Sequence, residues 1–145
     1  MTQISQDNRL LRITTPLGDD ALVAVSMVGE EGVSRPFLFN VDLVSMDDSA
    51  NVMDLLGRPV TLHMALVDGN ERPIHGLVRR VLSIGRDQRT KLARYRIEVV
   101  PSLWFMSLST NCRTFENKSA LDIVEEVCKA AHVSDLDPRV ASAPP

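Results

Sequence analysis

Phe37-Leu38-Phe39-Asn40-Val41-Asp42-Leu43-Val44 is the stretch on which the fold turns. Phe37, Phe39, Val41 and Leu43 share one side while Asn40 and Asp42 take the other, which is the two-residue period of a half-buried β-strand. The same period returns on both sides. Val60, Leu62, Met64 and Leu66 alternate with Thr61 and His63, and Asp68-Gly69-Asn70 then supplies the residues a tight hairpin needs before a second arm over Arg72–Ile84. In that arm Leu77, Val78, Val81 and Leu82 also suit a helix face, but Gly76 and the preceding hairpin favour strand. After a charged loop from Arg86 to Lys91, Tyr95, Ile97 and Val99 alternate with Arg94, Arg96 and Glu98 until Pro101 stops the ladder.

Upstream, Met1 to Asn8 is polar and without period, so residues 1–9 are expected to be a flexible lead-in to a strand at Leu10–Thr14. Leu17-Gly18-Asp19-Asp20 carries turn chemistry, and the apolar, valine-rich run Ala21–Val28 reads as a strand covered on both faces, ended by Gly29-Glu30-Glu31-Gly32. Met46 to Asn51 is polar, and Val52–Leu56 closed by Gly57 predicts one helical turn. Ser119 with Asp122 three residues on predicts a capped helix. Its apolar face is Leu121, Val124, Cys128 and Ala131, joined by Ile123 and Val127, and its acidic residues precede Lys129 as the helix dipole prefers. Beyond Val133 the chain turns to Asp, Pro, Ala and Ser, so 137–145 is read as a tail or a cut linker. These elements describe a mainly β protein, a barrel or folded antiparallel sheet with one or two helices, and not a parallel α/β fold.

With 145 residues, of which 44% are hydrophobic and 24% charged, the chain fits one domain with a real core. Two cysteines are too few for a disulfide framework, and no charged segment followed by an apolar run opens the chain, so residence in a reducing cytoplasm is expected. No run of about 18 apolar residues occurs, the length a membrane-crossing helix needs. A net charge of −3 gives no footprint for nucleic acid.

Chemistry-bearing residues are few. Cys128 and His132, four apart, form the only local metal-ligand pair, and a metal needs more ligands than that. Cys128 lies on the apolar stripe and Cys112 follows a polar run, so both read as ordinary thiols. His63 and His75 sit on the two arms of the hairpin, placed to face each other or to flank a nucleophile such as Ser83. Histidine on the outer face of a half-buried strand is commonly a surface residue, and no triad or oxyanion context surrounds these two. Phosphate loops, nucleophile elbows and zinc signatures are absent. The expectation is therefore no catalytic, cofactor-binding or metal residue, no cofactor and no enzyme. Trp104, within Leu103-Trp104-Phe105-Met106, either anchors a core or docks a partner, and core packing is the favoured reading.

Taken in order, Val33–Ser45, Leu55-Leu56-Gly57-Arg58-Pro59-Val60 and Ile74-His75-Gly76-Leu77-Val78 resemble one family. Tyr95–Pro101 with Leu103-Trp104, then Arg113-Thr114-Phe115 and Ile123–Val127, continue the match. It is the amino-terminal part of the VgrG spike proteins of the bacterial type VI secretion system, similar to phage tail hubs, and it spans 10–136. The resemblance implies a phage-tail-hub-like β-barrel, the front part of a longer hub, that joins two further copies in a homotrimer at the base of a puncturing spike. It also implies contacts with the secretion tube, baseplate and effector proteins, and export with the apparatus from the bacterial cytoplasm. It brings no catalytic residues, no nucleic acid and no membrane binding by this segment. The alternatives are an autonomous adaptor that captures an effector or baseplate partner by strand addition, or a phage tail hub protein.

Overall fold

A computed structural model describes residues 4–46, 51–133 and 136–140. The backbone divides into two compact units, Met1–Pro101 and Ser102–Pro145.

The first unit is one antiparallel sheet of six strands. They are β1 (Leu11–Thr14), β2 (Val23–Gly32), β3 (Arg35–Ser45), β4 (Pro59–Ala65), β5 (Glu71–Arg86) and β6 (Ala93–Val100), in the spatial order β1-β4-β5-β6-β3-β2. The alternation of β3 is realised, with Phe39, Val41 and Leu43 at most 6% exposed and Asn40 and Asp42 on the opposite face. Val41 pairs with Ile97 and Val99 with Phe39, so the inward sides of β3 and β6 meet across the ladder. Ile13, Leu62 and Ile74 continue that layer across β1, β4 and β5. Leu22, Val52 and Leu55 also join the cluster. A sheet can enclose its own apolar face only by curling, and here the edge strands β1 and β2 come within contact of each other without pairing. The result is an open half-barrel.

β5 changes partners along its length. Glu71–Leu77 pairs with β4, and Leu77–Arg86 pairs with β6. The change occurs beside Gly76, where a Cβ would stand 2.7 Å from the carbonyl oxygen of Val100 and 2.7 Å from the Val99 side chain. Only glycine lets the two strands approach so closely, which is why it sits inside a strand. The hairpin into β5 turns at Asp68-Gly69-Asn70 as its sequence predicts, with Gly69 at φ +83°. Val52–Leu55 forms a single 3-10 turn and Gly57 takes φ +73°, the expected helical turn and glycine stop. The polar link before it falls largely on residues 47–50, outside the described residues.

Two expectations are corrected in β2. The strand begins at Val23 and runs through Gly29-Glu30-Glu31 to Gly32, turning into β3 only at Val33-Ser34, with Ser34 at φ +63°. Nor is it covered on both faces: Val25 is 56% and Val28 72% exposed. A valine run is the signature of a doubly covered strand and equally of an edge strand with one open face, and β2 is an edge. Gly29 continues the strand because the Phe39 ring lies against it, leaving no room for a Cβ.

The second unit opens with a 3-10 segment, Ser102–Leu108, followed by chain without regular secondary structure and, among the described residues, one α-helix, α1 (Ala120–Ala130). Ser119 and Asp122 form the predicted capping box: the Ser119 hydroxyl accepts from the Asp122 amide at 3.2 Å, and the Asp122 carboxylate accepts from the Ser119 amide at 3.1 Å. At the other end the Val133 amide donates to the Cys128 carbonyl and the His132 amide to Lys129, with His132 at φ +58°. That is a Schellman closure with histidine where glycine is usual. Of the apolar face only Cys128 is buried, while Val124 is 47% exposed.

Candidate functional site

The outer face of β1, β4 and β5 carries the densest set of polar side chains that sequence reading singled out. Register sets His75 opposite Thr61 and His63 opposite Pro73, so the two histidines share a face but stand diagonally and do not face each other. His63 Nδ1 is 2.6 Å from Glu71 Oε1, and His63 Nε2 is 3.0 Å from Thr14 Oγ1. An ionised carboxylate only accepts, so Nδ1 carries the proton and, in the neutral ring, Nε2 accepts from the threonine hydroxyl. Arg12 bonds the other oxygen of Glu71. The His63 hydrogen bond first, and the Arg12 charge after it, hold Glu71 below the ordinary carboxylate range. His75 Nδ1 lies 3.0 Å from Thr61 Oγ1. Hydroxyl, imidazole and carboxylate stand here in the order of a proton relay, but Arg12 shares the carboxylate and the chain of bonds crosses from β1 through β4 to β5. What the row does is tie three strands together.

Arg12, Thr14 and Glu71 were not visible as partners of His63, because the contact depends on which strand lies beside β4. The turn at Asp68-Gly69-Asn70 was the available signal: it fixes Ala65 opposite Glu71, two residues from His63 on the same face. Ser83 lies elsewhere, opposite Tyr95 on the β6-paired half of β5, and flanks neither histidine.

Similar ties cross the rest of the sheet. Asp42 accepts from Arg96 at 2.7 Å and from Ser26 at 2.9 Å, and the Arg96 hydrogen bond is the main reason its carboxyl is held low. Glu98 accepts from Arg79 at 2.7 Å and lies 3.5 Å from Arg80. Glu31, near the tip of the β2–β3 hairpin, accepts from Arg72 of β5 at 2.6 Å, which holds it low as well.

The Cys128–His132 pair does not converge. Cys128 is buried on α1, whereas His132 sits past the helix end in a left-handed conformation and is exposed. Cys112 is exposed. Among the described residues no group of three or more His, Cys, Asp or Glu is placed to hold a metal ion. Trp104 and Phe105 pack edge to face with centroids 5.2 Å apart, and both are half-buried, so the cluster is neither a sealed core nor fully open. Near it in the second unit, a groove of about 410 Å³ runs between Met106, Phe115 and Arg113 on one side and Val127, Ala130 and Ala131 of α1 on the other. No helix among the described residues is long and apolar enough to cross a membrane.

The chain is 33% identical over 134 residues to the type VI secretion system spike protein VgrG1b of Pseudomonas aeruginosa, covering 92% of this chain and 18% of that one. VgrG1a of the same organism is 32% identical over 133 residues, covering 91% of this chain and 20% of the relative. The chain thus spans about a fifth of the length of these curated relatives. Among solved structures, an Escherichia coli component of the type VI secretion system, described as structurally similar to the T4 phage tail proteins gp27 and gp5, superposes with a TM-score of 0.67 at 20% identity. The match covers 84% of this chain and 32% of that one. The model of the phage tail baseplate hub (GPD) matches residues 30–143. That is most of the chain, and with it the chain belongs to the phage tail baseplate hub (GPD) family.

Proposed function

We propose that this chain is the hub segment of a type VI secretion spike, a structural part that assembles as a trimer and docks on the secretion tube. The observation that carries the reading is the alignment with spike proteins over nine-tenths of the chain. The half-barrel supports it, since ion-paired strands of this kind offer rigid shape rather than a reaction centre. In this reading residues 10–136 are the hub-like part, the molecule has no catalytic residue or cofactor of its own, and its partners are two further copies, the tube protein, the baseplate and an effector. It is made in the bacterial cytoplasm and leaves with the apparatus.

The test is sedimentation of the full-length protein with and without this segment, together with pull-down from a secreting bacterium. A trimer that captures the tube protein, and loses both properties on deletion of the segment, is the expected result. Capture of a single effector by a monomer, with no tube protein, would replace the hub reading with that of an adaptor.

A further inference from the structure

The groove of the second unit gathers three unmet needs. Its floor is apolar and open: Met106, Phe115 and Val127 are half-buried, and on the α1 side only the small Ala130 and Ala131 stand above Val127. Its volume, about 410 Å³, is that of a binding cleft. The wall facing α1 is chain without regular secondary structure, and its main chain is unused. Among the described residues no main-chain hydrogen bond is made from Thr110 to Asn117, whereas the Ser109 amide before this stretch and the Ser119 amide after it are both bonded. Arg113 is the one charged residue lining the groove; it is exposed, and among the described residues no carboxylate pairs with it. Asp122 and Glu126 of α1 are engaged elsewhere, by Ser119 and Lys118.

Each need selects its occupant. An apolar floor takes an apolar side chain. Unpaired N–H and C=O groups take those of another main chain, and a helix has already spent its own internally, so an extended segment fits where a helix does not. A guanidinium takes a carboxylate, through two parallel hydrogen bonds. We propose that this groove docks an extended segment of a partner protein in which apolar and acidic residues alternate. Its main chain pairs along Thr110–Phe115, an apolar side chain lies on Met106, Phe115 and Val127, and a carboxylate meets Arg113. Alternation follows from strand geometry, since neighbouring side chains of an extended segment point to opposite faces: one enters the groove and the next stays at its rim. A segment with basic residues in those places is rejected by Arg113. The proposal takes nothing from the hub reading. A second copy of this chain is the competing occupant, and the test separates the two.

The probe is a short synthetic peptide, capped at both ends, in which leucine alternates with aspartate. It is titrated into the 145-residue chain and followed by calorimetry and hydrogen exchange. Binding should slow exchange of the amides from Thr110 to Phe115 and leave the strands of the first unit unchanged. Arg113→Glu should weaken binding about tenfold, with the neutral Arg113→Gln in between. A peptide with lysine in place of aspartate should bind wild type poorly and recover on Arg113→Glu. Methylating the peptide's own amide nitrogens should abolish binding, because side chains and charge are kept and only main-chain pairing is lost. Thermal unfolding checks that each variant folds. Absence of protection at Thr110–Phe115, equal binding of the acidic and lysine peptides by wild type, or undiminished binding of the methylated peptide would overturn the proposal. So would self-association of the peptide-free chain that protects the same amides and is weakened by Arg113→Glu, since the occupant would then be a second copy. Tube capture by the full-length protein tests the hub reading separately.

Discussion

β3 and α1 both carry an apolar face, and only one of them is covered. On β3 the face is completed by β6 beside it and by the curl of the sheet in front of it, leaving Val41 fully buried. On α1 the stripe runs from Leu121 to Ala131, yet Val124 near its middle is 47% exposed and only Cys128 is buried. A sheet can fold over its own apolar side, whereas a single helix needs a second surface. The stability of the first unit should therefore be collective, and that of α1 should rest on its ends.

The largest test of that contrast is Phe39→Ala. The ring is buried and covers Gly29, so its loss should cost about 3–5 kcal/mol, read as a lower unfolding midpoint. Asp42→Ala, on the outer face, should cost far less. Equal midpoints for the two would break the facing assigned to β3. Gly76→Ala should come next, about 1–3 kcal/mol, because the new Cβ meets backbone that cannot turn aside. A neutral result there would mean that β5 and β6 separate without cost at the partner change.

How much was legible beforehand follows from the same physics. Period-two alternation needs no knowledge of partners, so β3, β4 and β6 and the 68–70 turn could be read directly. Pairing is another matter. β5 leaves β4 for β6 in mid-strand, and the His63–Glu71–Arg12 tie exists only because β1 lies beside β4; neither appears in any local pattern. β2 was misread because valine enrichment does not separate a doubly covered strand from an open edge. The Cys128–His132 spacing suggested one helical face, but the helix ends at Ala130 and His132 occupies the left-handed closing position. A histidine gives no signal there, as a glycine would have.

Smaller effects belong to the ends of α1. Ser119→Ala removes the hydroxyl from the capping box and should cost about 1 kcal/mol, seen as faster hydrogen exchange in α1 with the strands of the first unit unchanged. Loss of protection in both units together would break the contrast. His132→Gly should act the other way. It removes the penalty of a left-handed conformation, roughly 1 kcal/mol, against a gain in unfolded-chain entropy of similar size. A slight slowing of exchange in the last turn of α1 is expected, and a faster one would mean that the imidazole contributes more than its backbone position costs.

The smallest effect concerns pH. The Asp122 carboxyl is held below its ordinary value, first by the hydrogen bonds from Ser119 and then by the charge of Lys118. A carboxyl depressed in the folded state contributes stability that is fully present above its unfolded pKa, near 3.9, and is lost as pH falls through the lower folded value. Protection factors in the first turn of α1 should therefore hold steady down to about pH 4 and decline below it. Asp42 and Glu71 are depressed as well, so acid also loosens ties of the sheet and the decline alone does not isolate the cap. Ser119→Ala isolates it, because that variant has already lost the hydroxyl that contributes most to the depression. Below about pH 4 wild-type α1 should lose more protection than Ser119→Ala, and the gap between the two should narrow without closing, because the Ser119 hydroxyl still accepts from the Asp122 amide once the carboxyl is protonated. Parallel curves that never approach each other would show that the capping box does not govern the end of this helix.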